Sequence, residues 1–120
     1  MTAVNMINTV TVNGKSATAN LTTSASNILV NSTNSSTLIK LNHLMLANYA
    51  SSVVTGYLFF YRYSTTSGNY VVSNLSVPAN STLVVLGKDT PIYLEEGDVL
   101  QGYSNTANSL AVISSYELIS

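Results

Sequence analysis

The sequence predicts an all-β protein, an antiparallel two-sheet β-sandwich with a jelly-roll-like architecture and about eight to ten short strands. Two features lead to this prediction. Short apolar runs alternate with polar residues at the two-residue period of a half-buried strand. Turn-forming residues interrupt these runs at regular intervals, most clearly between residues 75 and 118, where Pro78, Gly87, Pro91 and Gly97 divide the chain. No segment shows a convincing helical pattern.

The first two predicted strands, 9–12 and 15–22, flank Asn13-Gly14, which is the strongest short signal for a tight hairpin. Residues 1–26 are therefore expected to form an N-terminal hairpin or arm, and residues 27–120 the β-sandwich, within a single domain overall. The side chains of this hairpin are small. It could be an arm that a neighbouring subunit stabilises, or an ordinary edge hairpin of the same sandwich. The other predicted strands are 27–30, 38–47, 53–63, 70–77, 81–86, 91–94, 99–103 and 110–118.

The segment 38–47 is apolar on both of its faces and is compatible with two structures. Leu38, Leu41 and Met45 follow the spacing of a helical stripe, and the same segment fits a strand that is buried on both sides. A strand is preferred because the segments on either side of it are strands.

The strand 53–63 is the most aromatic part of the chain. Its alternation places Tyr57, Phe59, Tyr61 and Tyr63 on one face. Such a face could stack on carbohydrate, or it could form part of the core or of a subunit interface, where tyrosine is enriched. A core or interface role is preferred over carbohydrate binding. With the small residues of the N-terminal hairpin, the predicted interface set is Val10, Val12, Ala17, Ala19, Tyr57, Tyr61 and Tyr63.

The composition points to a surface of hydroxyl and amide groups. Only 8% of the 120 residues are charged, and the net charge is −1. Removing such a surface from water costs less free energy than removing an ionic one. This property suits a protein whose surface is covered by neighbouring proteins. The four basic residues are scattered, so no nucleic-acid partner is expected. No apolar run is long enough for a membrane helix, no signal peptide is expected, and the chain contains no cysteine.

Two features of the sequence contain side chains that could take part in catalysis or metal binding, but neither one indicates a particular reaction. His43 is the only histidine, and no cysteine or second histidine is available to complete a metal or catalytic site with it. The segment Glu95-Glu96-Gly97-Asp98 could hold calcium, but it is explained by a turn in which Gly97 adopts a positive φ and Asp98 accepts local hydrogen bonds. We therefore expect no cofactor, no metal and no enzymatic activity.

Residues 28–120 resemble the small β-sandwich virion proteins of tailed phages, especially marine and cyanobacterial phages. The resemblance rests on four motifs in order, Leu46-Ala47-Asn48, the segment 77–83, the segment 92–98 and the segment 112–117. The turn 94–98 also occurs in cupins and in tumour-necrosis-factor-like trimers, but the His-x-His motif of catalytic cupins is missing here.

This resemblance implies a capsid decoration (cement) protein that binds the outer head surface. The expected partners are the major capsid protein or another virion protein and further copies of the chain, with a trimer favoured. The expected location is the virion, after synthesis in the host cytoplasm. A tail, neck or fibre-adaptor protein is the alternative within this class. A carbohydrate-binding module that uses Tyr57, Tyr61 and Tyr63 is the alternative from another class.

Overall fold

A computed structural model describes residues 11–120 and contains nine strands in this part of the chain. They are β1 (Val12–Asn20), β2 (Ser26–Val30), β3 (Leu38–Asn48), β4 (Val54–Arg62), β5 (Ser67–Val77), β6 (Ser81–Leu86), β7 (Ile92–Leu94), β8 (Val99–Ser104) and β9 (Leu110–Ile119).

The strands form two antiparallel sheets. The five-stranded sheet has the order β1-β9-β3-β6, with β7 paired to the first half of β3, and the four-stranded sheet has the order β2-β8-β4-β5. Along the chain, successive strands pass repeatedly from one sheet to the other. This crossing produces the two interleaved Greek keys of a jelly roll. The all-β, two-sheet, jelly-roll-like prediction is confirmed.

The core lies between the sheets and is built mainly from leucine. β3 contributes Leu41, Leu44 and Leu46, which are fully buried. β3 lies in the middle of its sheet, between β9 on one side and β6 and β7 on the other, so the strand assignment of 38–47 is correct. Burying one leucine side chain stabilises the fold by about 1.5–3 kcal/mol. The other fully buried aliphatic side chains are Leu21, Val54, Leu58, Val77, Leu94, Leu100, Leu110 and Val112.

The predicted hairpin turn at Asn13-Gly14 is wrong. Both residues lie inside β1, where Asn13 is paired with Leu118 and Gly14 with Glu117. Asn-Gly permits a tight turn but does not enforce one, and continuous pairing with β9 outweighs the local preference. The part of the predicted hairpin that precedes residue 11, including Val10, lies outside the described residues. β1 is thus an edge strand of the sandwich.

The edge strands differ in regularity. Each of β2, β5 and β6 contains at least one extra residue relative to the strand with which it pairs: Ile28 in β2, Val85 in β6 and Val71 in β5. β5 has a second irregularity near Asn74, which has a φ of 59°. β7 is only three residues long. β1, by contrast, pairs with β9 from Val12 to Asn20 without a shift in register.

Candidate functional site

The predicted interface residues of β1 lie along the open edge of the five-stranded sheet. Val12 is 53% exposed, and Ala17 and Ala19 are half-buried. Ala17 and Ala19 pair with Ser114 and Val112 of β9. Val10 lies outside the described residues. The participation of these residues in an interface stays a prediction.

The outer face of the four-stranded sheet carries a cluster of four aromatic rings, which we call the aromatic cluster: Tyr57 and Phe59 of β4, Tyr70 of β5 and Tyr103 of β8. The rings of Tyr57 and Tyr103 are stacked, with their centroids 4.5 Å apart and an interplanar angle of 10°. Tyr70 meets Phe59 edge-on at 5.2 Å and Tyr57 edge-on at 6.5 Å. Both arrangements are favourable for aromatic pairs.

Polar groups border the aromatic cluster. The hydroxyl groups of Tyr70 and Tyr103 are hydrogen-bonded at 2.9 Å. The hydroxyl of Tyr57 donates to Asn74 Oδ1 at 3.2 Å. The pKa of Tyr103 is raised to about 12. The largest cause is the hydrogen bond with Tyr70, followed by partial removal from water and by the proximity of Tyr70 and Tyr57. The neutral phenol of Tyr103 is therefore favoured by the fold.

Two members of the aromatic cluster were missed by the sequence analysis. Tyr70 is the cross-strand partner of Phe59, and Tyr103 is the partner of Tyr57. Both residues were placed in predicted strands, but the pairing of β4 with β5 and β8 was needed to bring them together. The sequence offered only a weak signal for this cluster: Tyr70 begins the predicted strand 70–77, and Tyr103 ends the predicted strand 99–103.

Of the three predicted tyrosines in this part of the chain, only Tyr57 belongs to the aromatic cluster. Tyr61 faces outward on β4, as Tyr57 does, and is half-buried. Tyr63 follows the end of β4, and its ring lies directly over Gly97. Its backbone N–H donates to Asp98 Oδ1 at 2.9 Å. Tyr63 thus lies beyond Arg62, the last residue of β4, and its participation in an interface stays a prediction.

The outer face of the five-stranded sheet carries a row of apolar side chains, which we call the apolar row: Ile113 of β9, Met45 of β3 and Val84 of β6. Met45 is the direct cross-strand partner of both other residues. Val84 is 61% exposed, and Met45 and Ile113 are half-buried. The adjacent pair, Ala47 and Ala111, is also small and apolar. Exposed apolar groups that are contiguous across strands are typical of interaction surfaces.

The acidic turn connects β7 to β8 and is held by its own residues and by Arg62. Asp98 is completely buried, and its Oδ2 accepts a hydrogen bond from the backbone N–H of Glu95 at 2.9 Å. Gly97 has a φ of 91°. Arg62 forms an ion pair with Glu95, and its Nη2 lies 3.5 Å from Asp98 Oδ2. These contacts confirm the predicted turn and its explanation.

Asn31 ties this turn to the loop that precedes β3. Its side-chain amide donates to the carbonyl groups of Thr37 and Leu94, each at 2.9 Å. Its backbone N–H donates to the Asp98 carbonyl at 3.0 Å, and its own carbonyl accepts from the Gly97 N–H at 2.7 Å. Buried polar groups are tolerated when they are satisfied in this way. Asn31 and Arg62 were not predicted from the sequence to be partners of the turn.

Among residues 11–120, no group of three or more histidine, cysteine, aspartate or glutamate side chains is arranged to hold a metal ion. No helix in this range is long and apolar enough to cross a membrane. His43 is half-buried, and its strand position pairs with Ser115.

Comparison with known proteins shows similarity at the level of fold. No family model matches the chain, and no curated protein matches it. A solved structure from work on Bacillus endospore appendages, described as a novel family of disulfide-linked pili, matches with a TM-score of 0.53 and 11% sequence identity. The match covers 99% of this chain and 95% of that chain. At this identity, the likeness shows a shared fold.

Proposed function

We propose that this protein is a structural subunit that acts by packing against other protein surfaces, as a decoration protein on the head of a tailed phage. The apolar row is the observation that carries the proposal. Ile113, Met45 and Val84 form a contiguous apolar surface on the side of the sheet that faces away from the core. Met and aliphatic side chains with few charges are typical of the centre of a protein interface.

The chemistry of the surface supports the same role. Burying a charged side chain is costly unless it is paired, whereas a hydroxyl or amide can be covered at a lower cost when it finds a hydrogen-bond partner. With only 8% charged residues, the protein offers large areas that a neighbour can cover. The resemblance of residues 28–120 to phage virion proteins supports the particular form of the proposal. The role requires no enzymatic step, cofactor, nucleic acid or membrane.

The likeness to a pilus subunit supports a structural role in general. That protein belongs to a family described as disulfide-linked. The present chain contains no cysteine, so its contacts with neighbours would be noncovalent. The proposed partners are further copies of the chain and the major capsid protein or another virion protein, and the proposed location is the virion. A trimer is the form implied by the phage resemblance.

The proposal is tested by mixing the purified protein with undecorated capsids and measuring co-sedimentation. We expect the unmodified protein to co-sediment and the Val84→Lys variant to lose most of its binding, because a lysine would place a charge in the apolar row. Val53→Lys is the matched control, since Val53 is 59% exposed and lies outside the row. Equal binding by both variants, or no binding by the unmodified protein, would overturn the proposal. Binding to isolated tails instead would favour the tail or neck alternative.

Carbohydrate binding by the aromatic cluster is the second candidate function. Its supporting observation is the combination of stacked rings with hydroxyl and amide groups, Tyr103 and Tyr57 beside Asn74. Aromatic surfaces with polar tips can bind sugar faces as well as proteins. The test is a glycan array, on which the unmodified protein should bind and the Tyr103→Ala variant should lose binding. Tyr49→Ala is the control and should bind normally, because Tyr49 is exposed and lies outside the cluster. An array without signal would exclude this candidate.

A further inference from the structure

The edge of β1 is the one long edge in the described part of the molecule that no irregularity interrupts. An extra residue in an edge strand bends it and breaks its row of hydrogen-bonding groups, which hinders pairing with another chain. β2, β5 and β6 each have this protection, and β7 is very short. β1 has a regular register over its whole length and no proline.

Among residues 11–120, β9 is the only strand paired with β1, and the backbone groups of β1 that this pairing leaves unused can be assigned from its register. Thr11 and Ser120 exchange both of their backbone hydrogen bonds, and the N–H of Leu21 donates to Leu110. In an antiparallel pair, residues that bond to the neighbouring strand alternate with residues whose N–H and C=O point the other way. The residues directed toward the open edge are therefore Val12, Gly14, Ser16, Thr18 and Asn20.

We propose that this edge pairs with β1 of a second copy of the chain, in antiparallel orientation about a two-fold axis at Ser16. A regular edge needs a regular partner, and among the described strands only β1 itself provides one. With the axis at Ser16, this residue faces its own copy, Gly14 faces Thr18, and Val12 faces Asn20. Every free N–H and C=O of the five residues then has a partner.

The side chains of β1 permit this contact. Lys15 is the only charged residue of the strand, and in this register it lies opposite Ala17, so no two like charges face each other directly. Because most side chains of β1 are small and exposed, the backbone supplies most of the attraction. We therefore expect a dimer that forms in a concentration-dependent manner. The inference does not depend on the capsid role.

The test uses charge pairs at the proposed axis, with sedimentation velocity measured over a range of concentrations. The unmodified protein should shift from monomer to dimer as its concentration rises. Ser16→Lys alone and Ser16→Glu alone should remain monomeric, because each places two like charges directly opposite each other. An equimolar mixture of the two variants should recover the dimer. Ser76→Lys, the same change on the bulged edge strand β5, should behave as the unmodified protein does.

A second variant separates pairing from folding. Ser16→Pro removes an N–H that points to the open edge and leaves the hydrogen bonds to β9 in place, so it should fold and stay monomeric. A circular dichroism spectrum like that of the unmodified protein would establish its fold. An unmodified protein that stays monomeric at every concentration would overturn the inference. So would a trimer without a dimer, or a Lys and Glu mixture that stays monomeric.

Discussion

Asp98 and Arg62 form a contact in which one partner is buried and the other is partly exposed. Asp98 Oδ2 lies 3.5 Å from Arg62 Nη2, and the side-chain exposures are 0% for Asp98 and 33% for Arg62. The same carboxylate accepts two backbone N–H groups, from Tyr63 and Glu95. Arg62 also pairs with Glu95. Asp98 therefore organises the turn between β7 and β8 and fixes it to the end of β4.

Replacing Asp98 with alanine should destabilise the protein by about 3 kcal/mol, because the change leaves the backbone N–H groups of Tyr63 and Glu95 without their acceptor and removes one of the two carboxylates that pair with Arg62. Urea unfolding measures this loss. Asp89→Ala is the matched control. Asp89 lies in an exposed turn, and its replacement should change the free energy of unfolding by less than about 0.5 kcal/mol. Equal effects of the two substitutions would contradict the role assigned to Asp98.

Gly97→Ala should destabilise the protein for two reasons. Gly97 has a φ of 91°, and an added Cβ would come within 2.6 Å of the Tyr63 ring. A strained backbone of this kind costs about 1–3 kcal/mol. Gly87→Ala is the control, since nothing lies within 4 Å of a Cβ at that position. Tyr63→Gly removes both the ring and the Cβ atom that the added methyl group would meet. In the double variant the clash is gone, so its loss in thermal or urea stability should be smaller than the sum of the two single losses.

Tyr103 should make the stability of the protein sensitive to alkaline pH. Its pKa rises from 10.0 to about 12 in the folded protein. A group with a raised pKa in the folded state contributes stability below its unfolded pKa and loses that contribution as pH rises through the folded value. The stability difference between the unmodified protein and Tyr103→Phe should therefore shrink between pH 10 and about pH 12. Urea unfolding across this range measures it, and a constant difference would contradict the assignment.

The two faces of β3 should respond differently to truncation. Leu46 is fully buried between the sheets, whereas Met45 faces outward and is partly exposed. Leu46→Ala should cost about 2–5 kcal/mol through lost burial and the cavity that remains. Met45→Ala should cost clearly less in the free protein. A larger effect at Met45 in the absence of a partner would mean that the apolar row already contributes to the stability of the isolated chain.

Local sequence patterns were sufficient for most of the fold. The segments 81–86 and 27–30 closely match β6 and β2, because alternation and turn residues are properties of neighbouring positions. The turn prediction at Asn13-Gly14 was wrong because a local turn preference competed with pairing to a distant strand, in which Asn13 faces Leu118. The strand bulges were also beyond prediction, since an extra residue is defined only relative to the strand with which it pairs.

The candidate sites depended still more on distant contacts. Tyr57 was identified as a surface residue of interest, but its neighbours Tyr70 and Tyr103 come from other strands. The turn at Gly97 was read correctly from its own residues. Its attachment to Arg62 and Asn31 required the arrangement of β4 and of the loop before β3. The sequence was sufficient to say what chemistry each of these side chains could carry, but it was not sufficient to identify the residues that contact it.

The position of β9 has a consequence for folding during synthesis. β9 follows all other described strands in the chain, yet it lies between β1 and β3 within its sheet. On the ribosome, β1 emerges before the other described strands and must wait for β9 before its pairing can form. Pairing across such a long separation is slow. Until then, β1 is free to adopt the turn that Asn13-Gly14 favours. The nascent chain would thus expose unpaired β1 and the side of β3 that later pairs with β9, and a chaperone that shields them should increase the yield of folded protein.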